Sequence, residues 1–141
     1  MCAMGGAFVL LHAIWLSSAP GDLDAFNFVL GIREYDVAHH RPHPPGAPVY
    51  MAFAKTAVWL WRLLGLPAHP LVGPEAAALG ALSIVAGTLS LVLIWRILCA
   101  LDEPSMRAKL ATIMCASAPL IWITAARPLS DILGLLLVLV V

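Results

Sequence analysis

Asp24 and the histidines of segment 39–50 are the residues of this chain whose types and spacing could do chemistry. His39-His40-Arg41-Pro42-His43-Pro44-Pro45-Gly46-Ala47-Pro48-Val49-Tyr50 puts three imidazoles, one guanidinium and four prolines into twelve residues. Imidazole takes up and returns protons near neutral pH and ligates transition metals. Guanidinium holds phosphate or carboxylate through paired N–H groups. Proline lacks the backbone donor and clashes with the preceding turn, so the segment cannot continue a helix. It is expected as a rigid polar loop, and loops held by a scaffold are where binding and catalytic residues concentrate.

Just upstream, Pro20-Gly21 makes a turn, Asp22 is a good N-cap and Gly31 a natural C-cap, which predicts a short helix over 23–31. Asp24 falls in its first turn and Asn27 one turn further along the same face. An aspartate there can simply complement the helix dipole, the plain reading for Asp22. Asp24, beside an apolar helix at a membrane surface, reads equally as a functional carboxylate. Asp36, His39, His40 and His43 offer the oxygen and nitrogen ligands that a zinc or other divalent-metal site would need. The prolines work against convergence of all four. The plainer alternative leaves His39 and His40 as solvated loop residues, with His43 the better site candidate. His12, inside an apolar run, reads as a hydrogen bonder between packed helices.

The frame that holds these residues is a membrane one. Hydrophobic residues make up 62% of the chain and charged residues 11%, with a mean hydropathy of +0.94. A soluble domain has roughly 45–50% apolar and about 25% charged residues. Net charge is zero and no basic stripe points to nucleic acid. Cys2, Cys99 and Cys115 lie in or beside apolar stretches without metal-type spacing and read as packing residues. The expected fold is all-α and polytopic. Spans are expected over 3–19, 76–95, 110–126 (kinked at Pro119) and, incompletely, 132–141, with a long outer loop over 20–74. Segment 3–19 could instead be a secretory signal ending at Ser17-Ser18-Ala19, but no Lys or Arg precedes it and Pro20 would follow the cut. The last apolar run is too short to cross, so the sequence is expected to be the N-terminal part of a larger protein.

Segment 49–66 carries Lys55, Trp59 and Arg62 on one helical face and Val49, Phe53, Leu60 and Leu64 on another. With Tyr50, Trp59 and Trp61 suited to the headgroup level, it is expected to lie along the interface. Arg96, Arg107 and Lys109 then fall in a short inner connection, as the positive-inside rule prefers, while Arg33 and Arg41 stay in the outer loop. Ala76, Gly80, Ser83, Gly87 and Ser90 share one face of the clearest span, a close-packing signal.

The order of these features resembles the start of bacterial C-type membrane glycosyltransferases, polytopic enzymes that take a sugar from a polyprenyl-phosphate carrier. The matching residues are Asp24, Asn27 and Phe28, then Tyr35, Asp36 and Ala38, then His40, Pro42, His43, Pro44, Pro45, Gly46, Pro48 and Tyr50. Arg127-Pro128-Leu129-Ser130-Asp131 is similar to the second outer loop of such proteins. The likeness spans most of the chain, and the His/Pro core is its specific part. It implies Asp24 as general base and Asn27 as the residue orienting it or the acceptor. Arg41, His43 and Arg127 would lie near the phosphate, Tyr50 would line the substrate site, and Asp131 would be a second acid. The implied setting is the bacterial cytoplasmic (inner) membrane, multi-pass, with an extracytoplasmic active face. The implied partners are the lipid bilayer, a polyprenyl-phosphate-linked sugar and an acceptor that is glycan, lipid or protein. No cofactor is expected, a divalent metal being the alternative. Ala47 departs from the pattern, standing where an aromatic residue is expected. Most spans and any C-terminal domain of such an enzyme are absent, so the chain alone is expected to be inactive. A different reading, a non-catalytic membrane subunit or transporter fragment, draws on the small-residue face and the broken outer segment, though no inverted repeat accompanies them.

Overall fold

The computed structural model describes residues 2–16, 19–70 and 73–141. All its regular structure is helical: α1 (Cys2–Ile14), α2 (Leu23–Arg33), a 3-10 turn (Val37–His39), α3 (Pro48–Leu63), α4 (Glu75–Ala100), α5 (Ser105–Ser117), α6 (Pro119–Thr124) and α7 (Asp131–Val140). The end of the expected first span, with its alternative cleavage site, reaches Ser17 and Ser18, and the expected outer loop includes Leu71 and Val72. These four lie outside the described residues.

The central element is α4, against which α1, α2, α3, α5 and α7 all pack. Its 26 residues give about 39 Å of helix against a hydrocarbon thickness of about 30 Å. Among the described residues it is the one helix long and apolar enough to cross a membrane, while α1 and α7 are apolar but shorter. The small-residue face is buried as expected: Ala76, Gly80, Ser83, Gly87 and Ser90 all lie inside. A Cβ on Gly87 would meet Phe8 of α1 at 3.2 Å, Ala125 at 3.3 Å and Ile132 of α7 at 3.5 Å, so three elements converge where that side chain is missing.

His12 is buried, with Nδ1 2.8 Å from the Phe8 carbonyl oxygen and Nε2 3.2 Å from that of Trp122. It therefore joins α1 to α6, as a packing hydrogen bonder should. The stretch 110–126 is two helices and not one kinked helix. Ala118 is extended (φ −63°, ψ 131°), because the residue before a proline avoids the helical region, and Pro119 then starts α6 at the position where its missing N–H costs nothing.

Two expectations about the outer segment change. Gly31 does not cap α2, which runs on to Arg33 and ends at Glu34. Gly31 is buried against the following loop, where a Cβ would lie 2.7 Å from Pro42 Cδ and 2.8 Å from Pro42 N. Helix α3 has three faces where two were expected. Tyr50, Met51, Ala54 and Val58 are buried against the protein. Val49, Phe53, Leu60 and Leu64 stay exposed as an unpartnered apolar stripe, and Trp59 is exposed with them. Tyr50 is thus a core residue, only 4% exposed, and not a ring at the headgroup level. Of the charged face, Lys55 Nζ lies 5.8 Å from the centre of the Tyr35 ring and Arg62 turns toward Glu75.

Exposed Leu10, Leu11, Ile14, Val85, Leu89, Leu110, Ile113 and Leu120 add to the apolar surface. Apolar surface on this scale marks a membrane or partner contact, as a helical membrane-associated protein requires.

Candidate functional site

Asp22 begins the site by capping α2: its Oδ1 accepts from Ala25 N at 2.8 Å with an extended backbone. That fixes Asp24 in the first helical turn and Phe28 one turn later. Beyond α2 the chain closes a small loop in which Asp36 and Arg41 exchange both backbone hydrogen bonds, at 2.7 and 2.8 Å. Asp36 Oδ1 also accepts from the Ala38 and His39 amides, and its Oδ2 lies 2.6 Å from His39 Nδ1. The hydrogen bond from His39 holds the Asp36 carboxyl below the usual carboxylate range. Gly46, with φ 90°, donates to the His43 carbonyl at 2.9 Å and accepts from the Tyr35 hydroxyl at 3.1 Å. The Arg41–Pro42 and Pro44–Pro45 peptides are cis. Pro48 then opens α3. The His/Pro segment is thus folded into an elbow, locked onto α2 at Gly31 and onto Tyr35 at Gly46.

The elbow brings His43 to α2. Its ring packs on Phe28 with centroids 5.7 Å apart, and its Nδ1 lies 3.6 Å from Asp24 Oδ1. That is too long for a hydrogen bond, and Nδ1 is buried without a partner, so a movement of roughly 0.5 Å would make the bond. The carboxylate itself is exposed. Phe28 also meets Tyr50 edge-on at 4.5 Å. The Tyr50 hydroxyl is likewise buried and unpartnered. Burial, and then the negative charge of Asp131, push the Tyr50 phenol above its ordinary value, so it remains a neutral O–H donor. Tyr50 and Asp131 line a cleft of about 540 Å³ between the starts of α3 and α7, together with Ala47, Val49, Ser130 and Leu137.

Asp24, His43, Tyr50 and Asp131 therefore form one chain of groups threaded through Phe28. An imidazole and a carboxylate at one end can move a proton. A hydroxyl donor and a carboxylate at the other can hold a hydroxylated ligand. No family model, curated protein or solved structure matches the chain.

The other expected residues are placed differently. Arg41 pairs with Glu34, at the C-terminal end of α2. Arg127 Nη1 lies 3.8 Å from Asp22 Oδ2, at the start of α2, and its loop is tied to α4 by the Ser83 hydroxyl, which donates to the Arg127 carbonyl at 2.6 Å. Asn27 is half-buried, and among the described residues no hydrogen bond joins it to Asp24. The four-ligand metal arrangement does not form: Asp36 engages His39, His40 is exposed with φ 57°, and His43 turns to Asp24. Among the described residues no three His, Cys, Asp or Glu side chains converge as a metal site.

Sequence reasoning missed a buried ion cluster. Glu75, 3% exposed, accepts from Arg33 Nη2 at 3.2 Å, Arg33 Nε at 3.4 Å and Arg62 Nη2 at 3.1 Å. It clamps the C-terminal ends of α2 and α3 to the first turn of α4. The available signal was a lone acid heading an apolar run; its partners, 42 and 13 residues away, carry no local mark.

Proposed function

We propose that this chain belongs to a polytopic membrane glycosyltransferase of the C type, with the elbow and the start of α2 forming its extracytoplasmic reaction surface. The observation that carries the reading is the approach of His43 Nδ1 to Asp24 Oδ1, 3.6 Å, on an elbow built from the His/Pro motif. In this reading α4 crosses the bilayer, α1 and α5 through α7 contribute further crossings within the assembled membrane domain, and α3 lies along the interface. The sugar arrives on a polyprenyl phosphate. Asp24 accepts the proton of the acceptor hydroxyl as that oxygen bonds to the anomeric carbon. The bond from that carbon to the phosphate oxygen breaks and the phosphate leaves as an anion. Arg127, exposed beside the N-terminus of α2, is the cation best placed to receive it. Arg41, engaged with Glu34, would serve the phosphate only after exchanging partners. Asn27 orients the acceptor from the same helix face. Tyr50 and Asp131 bind the hydroxyls of the sugar or the acceptor in the cleft between α3 and α7.

The test is transfer from a radiolabelled polyprenyl-phosphate sugar in membranes carrying the complete reading frame. Asp24→Asn is expected to lower transfer by about 10²–10⁴-fold, the usual worth of a general base, with recovery in the membrane unchanged. Normal transfer by that variant would remove Asp24 from the mechanism.

A further inference from the structure

The cleft between the starts of α3 and α7, about 540 Å³, is walled by Pro48, Val49, Leu133 and Leu137 and carries one charged side chain, Asp131. Among the described residues no lysine, arginine or histidine lines it. Nor does any cation among them pair with Asp131, and Arg127, four residues earlier, is turned to Asp22 at 3.8 Å. An acid in the first turn of a helix can serve the helix dipole alone, so Asp131 by itself would say little. Tyr50 is not explained that way. It lines the same cleft, is only 4% exposed and has a hydroxyl that is buried with no partner. A phenylalanine would fill that place without the cost of an unsatisfied buried hydroxyl, so the oxygen points to something that the cleft receives. Ser130 adds a third oxygen: it stands at the N-cap of α7, yet its side chain makes no capping hydrogen bond.

We infer that this cleft binds its ligand through a protonated primary amine, held by the Asp131 carboxylate and the hydroxyls of Tyr50 and Ser130. An ammonium group has three donors and no acceptor, and the three polar side chains of the cleft all offer oxygen lone pairs. Charge complementarity selects it. An anion would be repelled by Asp131, and a neutral hydroxyl would leave that charge unanswered. Burial first, and then the charge of Asp131, keep the Tyr50 phenol protonated, so the acid and the phenol address one space. The apolar walls, and a volume within the usual range of about 300–1,000 Å³ for small-ligand sites, suit a compact ring or chain bearing that amine. The identity of the ligand rests on the glycosyl-transfer reading: there the amine belongs to the sugar or to the acceptor, beside the hydroxyls placed in the same cleft.

The experiment places the full chain in phosphatidylcholine nanodiscs at pH 7 and titrates it with cyclohexylamine and cyclohexanol, which share a ring and differ in charge. Ligand-observed saturation-transfer NMR reads both affinities, with the signal of empty nanodiscs subtracted. Cyclohexylamine is expected to bind about tenfold more tightly, the low end of what a charge-assisted hydrogen bond contributes. Asp131→Asn should bring the amine down to the alcohol, and Asp131→Glu should keep most of the preference. Tyr50→Phe should weaken the amine about fivefold, the worth of one neutral hydrogen bond. Leu137→Trp should weaken both probes by filling the cleft. Equal affinities in the unaltered chain, or a preference that survives Asp131→Asn, would overturn the inference. Glucosamine against glucose and hexylamine against hexanol then separate the two sources. The larger preference falls to the sugar amine for a donor sugar and to the alkylamine for a lipid-like acceptor. No step of transfer is measured, so a missing amine preference leaves the Asp24 mechanism standing, and normal transfer by Asp24→Asn leaves the amine site standing.

Discussion

Removing the acid of the Arg33–Glu75–Arg62 cluster should cost much less than removing its bases. Glu75 is 3% exposed, whereas the Arg33 and Arg62 side chains are 47% and 62% exposed. In Glu75→Gln the two guanidiniums, both already partly solvated, lose one carboxylate partner. The loss is then that of two partly exposed pairs, about 1–2 kcal/mol in all. In the double variant Arg33→Gln/Arg62→Gln the carboxylate remains in the protein without a cation, and stranding a buried charge costs about 3–5 kcal/mol. Each single arginine variant leaves Glu75 one partner, so the double should exceed the sum of the singles, as coupled neighbours do. Thermal unfolding in detergent micelles reads the difference. At about 2–4 °C per kcal/mol for a chain of this size, Glu75→Gln should lower the midpoint by a few degrees and the double by about 10 °C. Equal losses in the two proteins, or strict additivity of the single variants, would refute the reasoning, because either means that Glu75 does not need its partners.

Gly31→Ala should destabilise the chain by about 1–3 kcal/mol and pull the elbow from α2, since the new Cβ meets the backbone of Pro42 at 2.8 Å. Gly6→Ala, in α1 with nothing within 4 Å, is the matched control and should stabilise by about 0.5–1 kcal/mol in thermal unfolding. The Tyr50 phenol is raised above its ordinary value, so its contribution to stability is fully present below about pH 10 and is lost as pH rises through the folded-state value. In an absorbance titration, Tyr50→Phe should leave the phenolate signal that develops below about pH 11 unchanged and remove only later signal. For the topology, a cysteine placed at Pro45 should react with an impermeant maleimide from the extracytoplasmic side and one at Met106 should not; the opposite pattern would place the elbow in the cytoplasm and end the enzyme reading.

Local chemistry was legible in the sequence wherever a residue acts on its own neighbours. Asp22 caps α2, and the small face of α4 is buried as its spacing predicts. The meeting of Asp24 with the elbow was suggested by motif order, though nothing in the spacing set its distance. Contacts made across the fold were not legible. Gly31 carries the signature of a C-cap, yet its missing side chain is used by Pro42, eleven residues on. Tyr50 has the amphipathic ring of an interfacial residue, but it shares a helix face with Met51, Ala54 and Val58 and goes inward with them. Periodicity marked two faces on α3 because a polar and an apolar set were both visible. The third, built of alanine, valine and methionine, was hidden among residues that suit either lipid or protein. The apolar run 110–126 suggests one span kinked at Pro119 because it is continuous on both sides, but the restriction that proline places on its predecessor makes Ala118 extended and divides the run.

The fit between Gly31 and Pro42 also limits how the proposed reaction surface can open. With backbone against backbone there, the elbow and α2 are held as a single body, so the gap between Asp24 and His43 is left to side-chain movement alone. A bulky reactant cannot come in by prising the two apart. On the proposed reading a reactant meets the exposed carboxylate of Asp24 from the surface, and the cleft between α3 and α7, bordered by Tyr50 and Asp131, receives its remainder. The width of that cleft, and so the size of molecule it can hold, is set by lining residues such as Val49 and Leu137, which lie outside the elbow.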